Sequence, residues 1–119
     1  KTMPDMVLAA TGVAYVLTEG GEMLVFDAAA REIVHREPLT EQFGEIAPQQ
    51  GQRFFVNGPE GRIFMLFKMG IAEIDLEDHA ITMLAESPVE IGPGGDYLNG
   101  RIYFGHGSHV CSWSVPDVE

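Results

Sequence analysis

Short apolar runs alternate with glycine-, proline- and acid-rich breaks along the whole chain. Gly12-Val13-Ala14-Tyr15-Val16-Leu17 returns as Gly61-Arg62-Ile63-Phe64-Met65-Leu66, and again as Gly100-Arg101-Ile102-Tyr103-Phe104. A second run follows each: Leu24-Val25-Phe26-Asp27, then Ala72-Glu73-Ile74-Asp75, then Cys111-Ser112-Trp113-Ser114. Runs this short, rich in β-branched and aromatic residues and bounded by turn residues, predict strands. Their recurrence at a period of about 40 to 50 residues predicts an array of like units.

The first unit reads as a strand over Met3–Leu8, a strand over Val13–Thr18, a turn at Glu19-Gly20-Gly21-Glu22, and strands over Met23–Phe26 and Glu32–Arg36. Glycine supplies the positive φ that such a turn needs. The second unit has the same grammar, with strands over Gln52–Val56, Arg62–Phe67, Ile71–Ile74 and Ala80–Ala85. The third has strands over Gly95–Leu98, Arg101–Phe104 and Ser108–Val115, with Asn99-Gly100 as the strongest hairpin signal in the chain. It reads as lacking a fourth strand. The boundaries fall near 1–39, 40–88 and 89–119. The distance from Asp27 to Asp75 exceeds that from Gly61 to Gly100, which places an insertion at Leu39–Gly51. Such a loop is a common seat of function. The only helix-compatible stretch, Asp27–His35, is short and closes on β-branched Ile33-Val34, so strand and turn are the better reading.

The middle strands set the expected architecture. Ile63-Phe64-Met65-Leu66-Phe67 is apolar without alternation. A strand with one wet face alternates, whereas a continuous run is covered on both faces. Glu32-Ile33-Val34-His35-Arg36 mixes in charge, as an outer, wetter strand should. Small antiparallel sheets stacked face to face are therefore expected, and a radial stack of four-stranded sheets is a β-propeller.

The units resemble blades of the bacterial Kelch, NHL and pyrroloquinoline-quinone-like propeller superfamily. The resemblance rests on Gly-Arg-Ile-Phe or Gly-Arg-Ile-Tyr, a glycine-containing turn, Val-Phe-Asp or Glu-Ile-Asp, and a final β-rich strand. It covers nearly the whole chain. The Trp-Asp dipeptide, the Gly-Gly pair with spaced Tyr and Trp of a Kelch blade, and the quinone-blade motif are absent from the sequence. The resemblance implies an all-β fold of about two and three-quarter consecutive four-stranded antiparallel blades, not a closed ring. Since three blades cannot close, and the chain begins at Lys1, it reads as a segment of a longer propeller. Its expected partners are the remaining blades of that parent or further copies of the same chain. The end faces are then expected to be apolar.

Charge narrows the partners further. The chain carries 7 basic and 18 acidic residues, net −11. That field repels nucleic acid, whose binding needs clustered Lys and Arg, and it repels anionic lipid as well. No apolar run approaches the roughly 20 residues that span a bilayer as a helix, and no signal-peptide pattern opens the chain. Cys111 is the single cysteine, which excludes an internal disulfide and a cysteine metal cage.

The candidate chemistry is sparse. His106 and His109 flank Gly107-Ser108 like half a metal site, but no third ligand accompanies them, and a polar hairpin tip at Gly105-His106-Gly107 is the plainer reading. Asp27 and Asp75 recur at equivalent positions, which suits turn-capping better than acid–base catalysis, since a catalytic pair needs unlike environments. Ile91-Gly92-Pro93-Gly94-Gly95-Asp96 lacks the Gly-Lys-Ser/Thr of a phosphate loop and suits close backbone passage. Trp113, Tyr103, Phe104 and Phe64 could form a sugar platform, but strand spacing favours packing between sheets. Ser108, Ser112 and Ser114 show no nucleophile-elbow pattern, and Cys111 reads as an inert thiol. The expected ligand-facing set is Asp96, Tyr97, Arg101, His106 and His109, with no catalytic residue, metal or cofactor assigned. The functional expectation is a non-catalytic segment for protein–protein, carbohydrate or other ligand recognition. The alternative is part of a propeller-fold polysaccharide lyase or glycoside hydrolase whose catalytic residues lie mostly elsewhere.

Overall fold

The computed structural model describes residues 5–18, 21–44, 54–92 and 96–116. The expectations for Met3-Pro4, Glu19-Gly20, Glu45–Arg53 and Pro93–Gly95 fall outside these residues. The described residues are all-β apart from two short turns of helix, and they form three antiparallel sheets. The first sheet holds β1 (Asp5–Leu8), β2 (Val13–Leu17), β3 (Glu22–Asp27) and β4 (Glu32–Pro38) in chain order. A short helix, α1 (Leu39–Phe43), follows. The second sheet holds β5 (Phe55–Asn57), β6 (Ile63–Phe67), β7 (Gly70–Ile74) and β8 (Ile81–Glu86), with a 3-10 turn at Pro59–Gly61. The third holds β9 (Asp96–Leu98), β10 (Arg101–His106) and β11 (His109–Ser114), with β11 as an edge among the described residues.

The second sheet lies between the other two. One core joins Val7, Tyr15, Leu17, Met23 and Val25 of the first sheet to Phe55, Ile63, Met65, Phe67, Ala72 and Ile74 of the second. Another joins Val56, Phe64, Leu66 and Ile71 of the second sheet to Ile102 and Phe104 of the third, with Ile91 and Val115. Every residue of β6 is buried, which is why its sequence does not alternate. The first strands draw together along one side of the stack, with β5 meeting both β1 and β9.

The sequence repeat is also a repeat of facing. Tyr15 turns toward the second sheet, and its counterpart Phe64 turns toward the third. Ile63 turns back toward the first sheet, and its counterpart Ile102 turns back toward the second. Each sheet therefore presents its forward face to the backward face of the next. Among the described residues, sheets lie against both faces of the second sheet, and the first and third sheets form the two ends of the stack. The first sheet leaves Met6, Leu8, Phe26, Ile33 and Val34 exposed, and the third leaves Leu98 and Val110 exposed.

Local chemistry explains the joints. Asn99 and Gly100 both take left-handed backbone angles, φ 49° and 86°, making the tight β9–β10 hairpin. Asp27 Oδ1 accepts from the backbone N–H groups of Ala29 and Ala30, and Asp75 Oδ1 from those of Glu77 and Asp78, so both aspartates cap their turns. Gly92 donates its N–H to the carbonyl of Gly105 at 2.6 Å, and a Cβ there would lie 2.8 Å from that oxygen. Close passage of backbone is thus the role of this glycine.

The chief differences from the sequence expectation lie at the β10–β11 hairpin and just after β4. β10 runs on through Gly105 and His106, and the hairpin tip is Gly107-Ser108. Pairing with β11 along its full length outweighs the glycine signal. The region expected to be strand start or loop opens with α1, whose Leu39 is fully buried and whose Phe43 ring lies 5.5 Å from that of Phe67. One helical turn carries too little periodicity to be read from sequence.

Candidate functional site

The five residues expected to face a ligand fall on both sides of the third sheet. Asp96 and Arg101 lie on its forward face together with Leu98 and Tyr103, since Leu98 pairs with Arg101 and Asp96 with Tyr103. Asp96 is exposed, and its Oδ1 accepts from the Tyr97 backbone N–H at 3.2 Å. Arg101 donates from Nε to Ser112 Oγ at 2.9 Å and from a terminal nitrogen to Ser114 Oγ at 3.3 Å. Tyr97 lies on the opposite face and packs against the second core. His106 and His109 sit opposite each other across the hairpin. A ring nitrogen of His106 (Nδ1) is 2.9 Å from the Glu90 carbonyl oxygen, which accepts from it. These five residues do not converge on one pocket.

Of the four aromatics, Phe64 and Phe104 are buried in the second core, Trp113 packs against it, and Tyr103 faces the other way. Among the described residues, no cluster of three or more His, Cys, Asp or Glu side chains is arranged to hold a metal ion.

Among the described residues, polar side chains bridge both seams between sheets, and neither linkage shows in the sequence. At the first seam, Tyr15 Oη lies 2.9 Å from His79 Nδ1, and the His79 ring stands edge-on to Tyr15 at 5.7 Å. The His35 ring is also 5.7 Å from that of His79. His35 Nε2 is 2.7 Å from Glu37 Oε1, and Gln42 Nε2 donates to the other Glu37 oxygen at 2.6 Å. Burial, with the nearby Asp75 carboxylate adding to it, pushes the Tyr15 hydroxyl up to about 12. At the second seam, Arg62 makes a two-pronged pair with Glu73, at 2.8 and 2.9 Å. Its guanidinium lies 5.0 Å above the Phe64 ring and donates to the Pro116 carbonyl at 3.2 Å. The planar fork suits it to grip a carboxylate, a ring face and a backbone oxygen together. Both linkages lock units together; neither pairs a nucleophile with a base around open space.

A cavity of about 330 Å³ with apolar walls lies between the end of β8 and the edge strand β11. Ile71, Ala85, Pro88, Phe104, Cys111 and Trp113 line it. Its size and apolar walls are those of a ligand or side-chain pocket. The repeat could have pointed to it, because among the described residues the third sheet has three strands where the other two have four.

No known family model matches the chain, and no curated protein resembles it.

Proposed function

We propose that the chain is a non-catalytic recognition segment of a larger β-propeller-like array, acting through the faces and edges of its stacked sheets. The observation that carries this reading is the middle sheet, buried on both faces by neighbours that share its repeat and its direction of facing. A unit that cannot bury its own faces alone needs like neighbours, and the end units of such a stack need further ones. The backward face of the first sheet, with Leu8 67% and Phe26 36% exposed, is an apolar surface of the kind that marks an interaction site. Its occupant is another sheet of the same design, from the parent protein or from a second copy. Within such an array the ligand is a polypeptide, or a sugar stacked on Tyr103 beside Arg101. The enzyme alternative has no convergent acid, base or nucleophile among the described residues to favour it.

Light scattering after size exclusion, at physiological salt so that the −11 charge is screened, checks the reading. The isolated chain is expected to elute as an oligomer, and Leu8→Lys with Phe26→Lys to shift it to monomer. A native chain that stays monomeric at high concentration would end the proposal.

A further inference from the structure

Building on that repeat-unit reading, we propose that the free edge of β11 and the cavity beside it accept an extended peptide strand. The strand runs antiparallel to β11, carries large apolar residues at alternate positions and has basic flanks.

The second unit supplies the template. There β8 lies antiparallel on β7, with Ile81 opposite Ile74 and Met83 opposite Ala72. Ile81 and Met83 turn toward the first sheet and pack against the first core. In the third unit, Trp113 pairs with Ile102 as Ile74 pairs with Ile63, and Cys111 pairs with Phe104 as Ala72 pairs with Met65. Trp113 and Cys111 are therefore the counterparts of Ile74 and Ala72, and they too turn toward the preceding sheet. Among the described residues, no strand pairs with the outer side of β11. The cavity sits where counterparts of Ile81 and Met83 would enter, walled by Cys111 and Trp113 on one side and by Ala85 and Pro88 on the other.

The site thus combines two elements of strand-addition recognition: backbone groups along an unpaired edge and a pocket for alternate side chains. The edge supplies affinity through main-chain hydrogen bonds, and the pocket selects apolar residues. Charge selects the flanks. Glu86 stands at the wall of the cavity, and the whole molecule is strongly acidic. A basic-flanked strand is attracted and an acidic one repelled.

Trp113 is the only tryptophan and Cys111 the only cysteine, so the site reports on itself. The probe is a synthetic peptide carrying the Ile81–Ala85 sequence between paired lysines. Added to the native chain, it should shift Trp113 emission to the blue with saturation and slow the alkylation of Cys111 as the site fills. Serine in place of both the isoleucine and the methionine of the peptide should weaken binding at least about tenfold, as loss of two buried apolar side chains requires. N-methylation of alternate amides should abolish binding in one phase of the alternation and spare it in the other. Equal binding by both methylated peptides would reduce the site to a greasy pocket and overturn strand addition. So would no response of Trp113 and Cys111 to the unmodified peptide. A chain that is monomeric yet binds the peptide keeps this proposal and defeats the array; a chain that assembles yet ignores the peptide does the reverse.

Discussion

Tyr15 shows how one side chain can tie two units together. It is fully buried, and its hydroxyl meets His79, 64 positions along the chain, on the turn between β7 and β8. A tyrosine whose folded value rises to about 12 from 10 keeps its proton where the unfolded chain has lost it. Its contribution is therefore whole below pH 10 and is lost as pH climbs toward 12. Tyr15→Phe should flatten this alkaline fall in urea-unfolding stability between pH 9 and 12. It should also remove the tyrosinate absorbance step near pH 12. At neutral pH the lost hydrogen bond should cost about 1 kcal/mol. The strand position of Tyr15 was readable from its place in an apolar run; its partner was not, because no local pattern links a strand to a turn so distant. The turn roles of Asp27 and Asp75 were readable, because an aspartate caps the backbone just ahead of it. Residue type and immediate neighbours suffice for that.

Among the strands, β6 and β11 are opposites. Phe64 in β6 is fully buried between the second and third sheets, whereas Val110 in β11 is 79% exposed. Phe64→Ala should cost about 3–5 kcal/mol by denaturant unfolding, through lost burial and a cavity that rigid neighbours cannot fill. Val110→Ala should stay within about 0.5 kcal/mol. Equal costs at the two sites would contradict the sandwiching of the second sheet. The unbroken run Ile63–Phe67 announced this burial, since solvent on one face would have forced polar residues into every second place. Val13–Leu17 is also apolar throughout: Tyr15 and Leu17 are buried toward the second sheet, while on the opposite face Ala14 is buried and Val16 half-buried beside the exposed Leu8 and Phe26. Helix α1 escaped because its one signal is Leu39 and Phe43 four apart, and a single such pair is indistinguishable from chance.

Taken together, the three sheets make a directional stack. Its backward end is the first sheet's apolar face, and its forward end is the third sheet's face, with Leu98, Arg101, Tyr103 and Val110. On the proposed array, two unlike ends would meet head to tail, a contact that closes into a ring or runs on as a filament. Leu8→Lys disables one end and Leu98→Lys the other. Each variant alone should be monomeric by light scattering, while an equal mixture should form a dimer through the one intact pair of faces. Association of the Leu98→Lys variant with itself would mean that the first-sheet faces pair with each other, against the directional stack.

Strand, turn and unit boundaries were written into the order of residues, because side-chain alternation and turn preference act over a few positions. So was the need for two-sided cover, since the burial demand of an apolar run is carried by the run itself. Folding alone decided which faces are met and which stay bare. It also decided that the five residues expected to face a ligand divide between two sides of a sheet, and that a pocket opens beside Trp113. Those outcomes depend on which distant segments come to lie on one another, and packing across the seams, not spacing along the backbone, selects them.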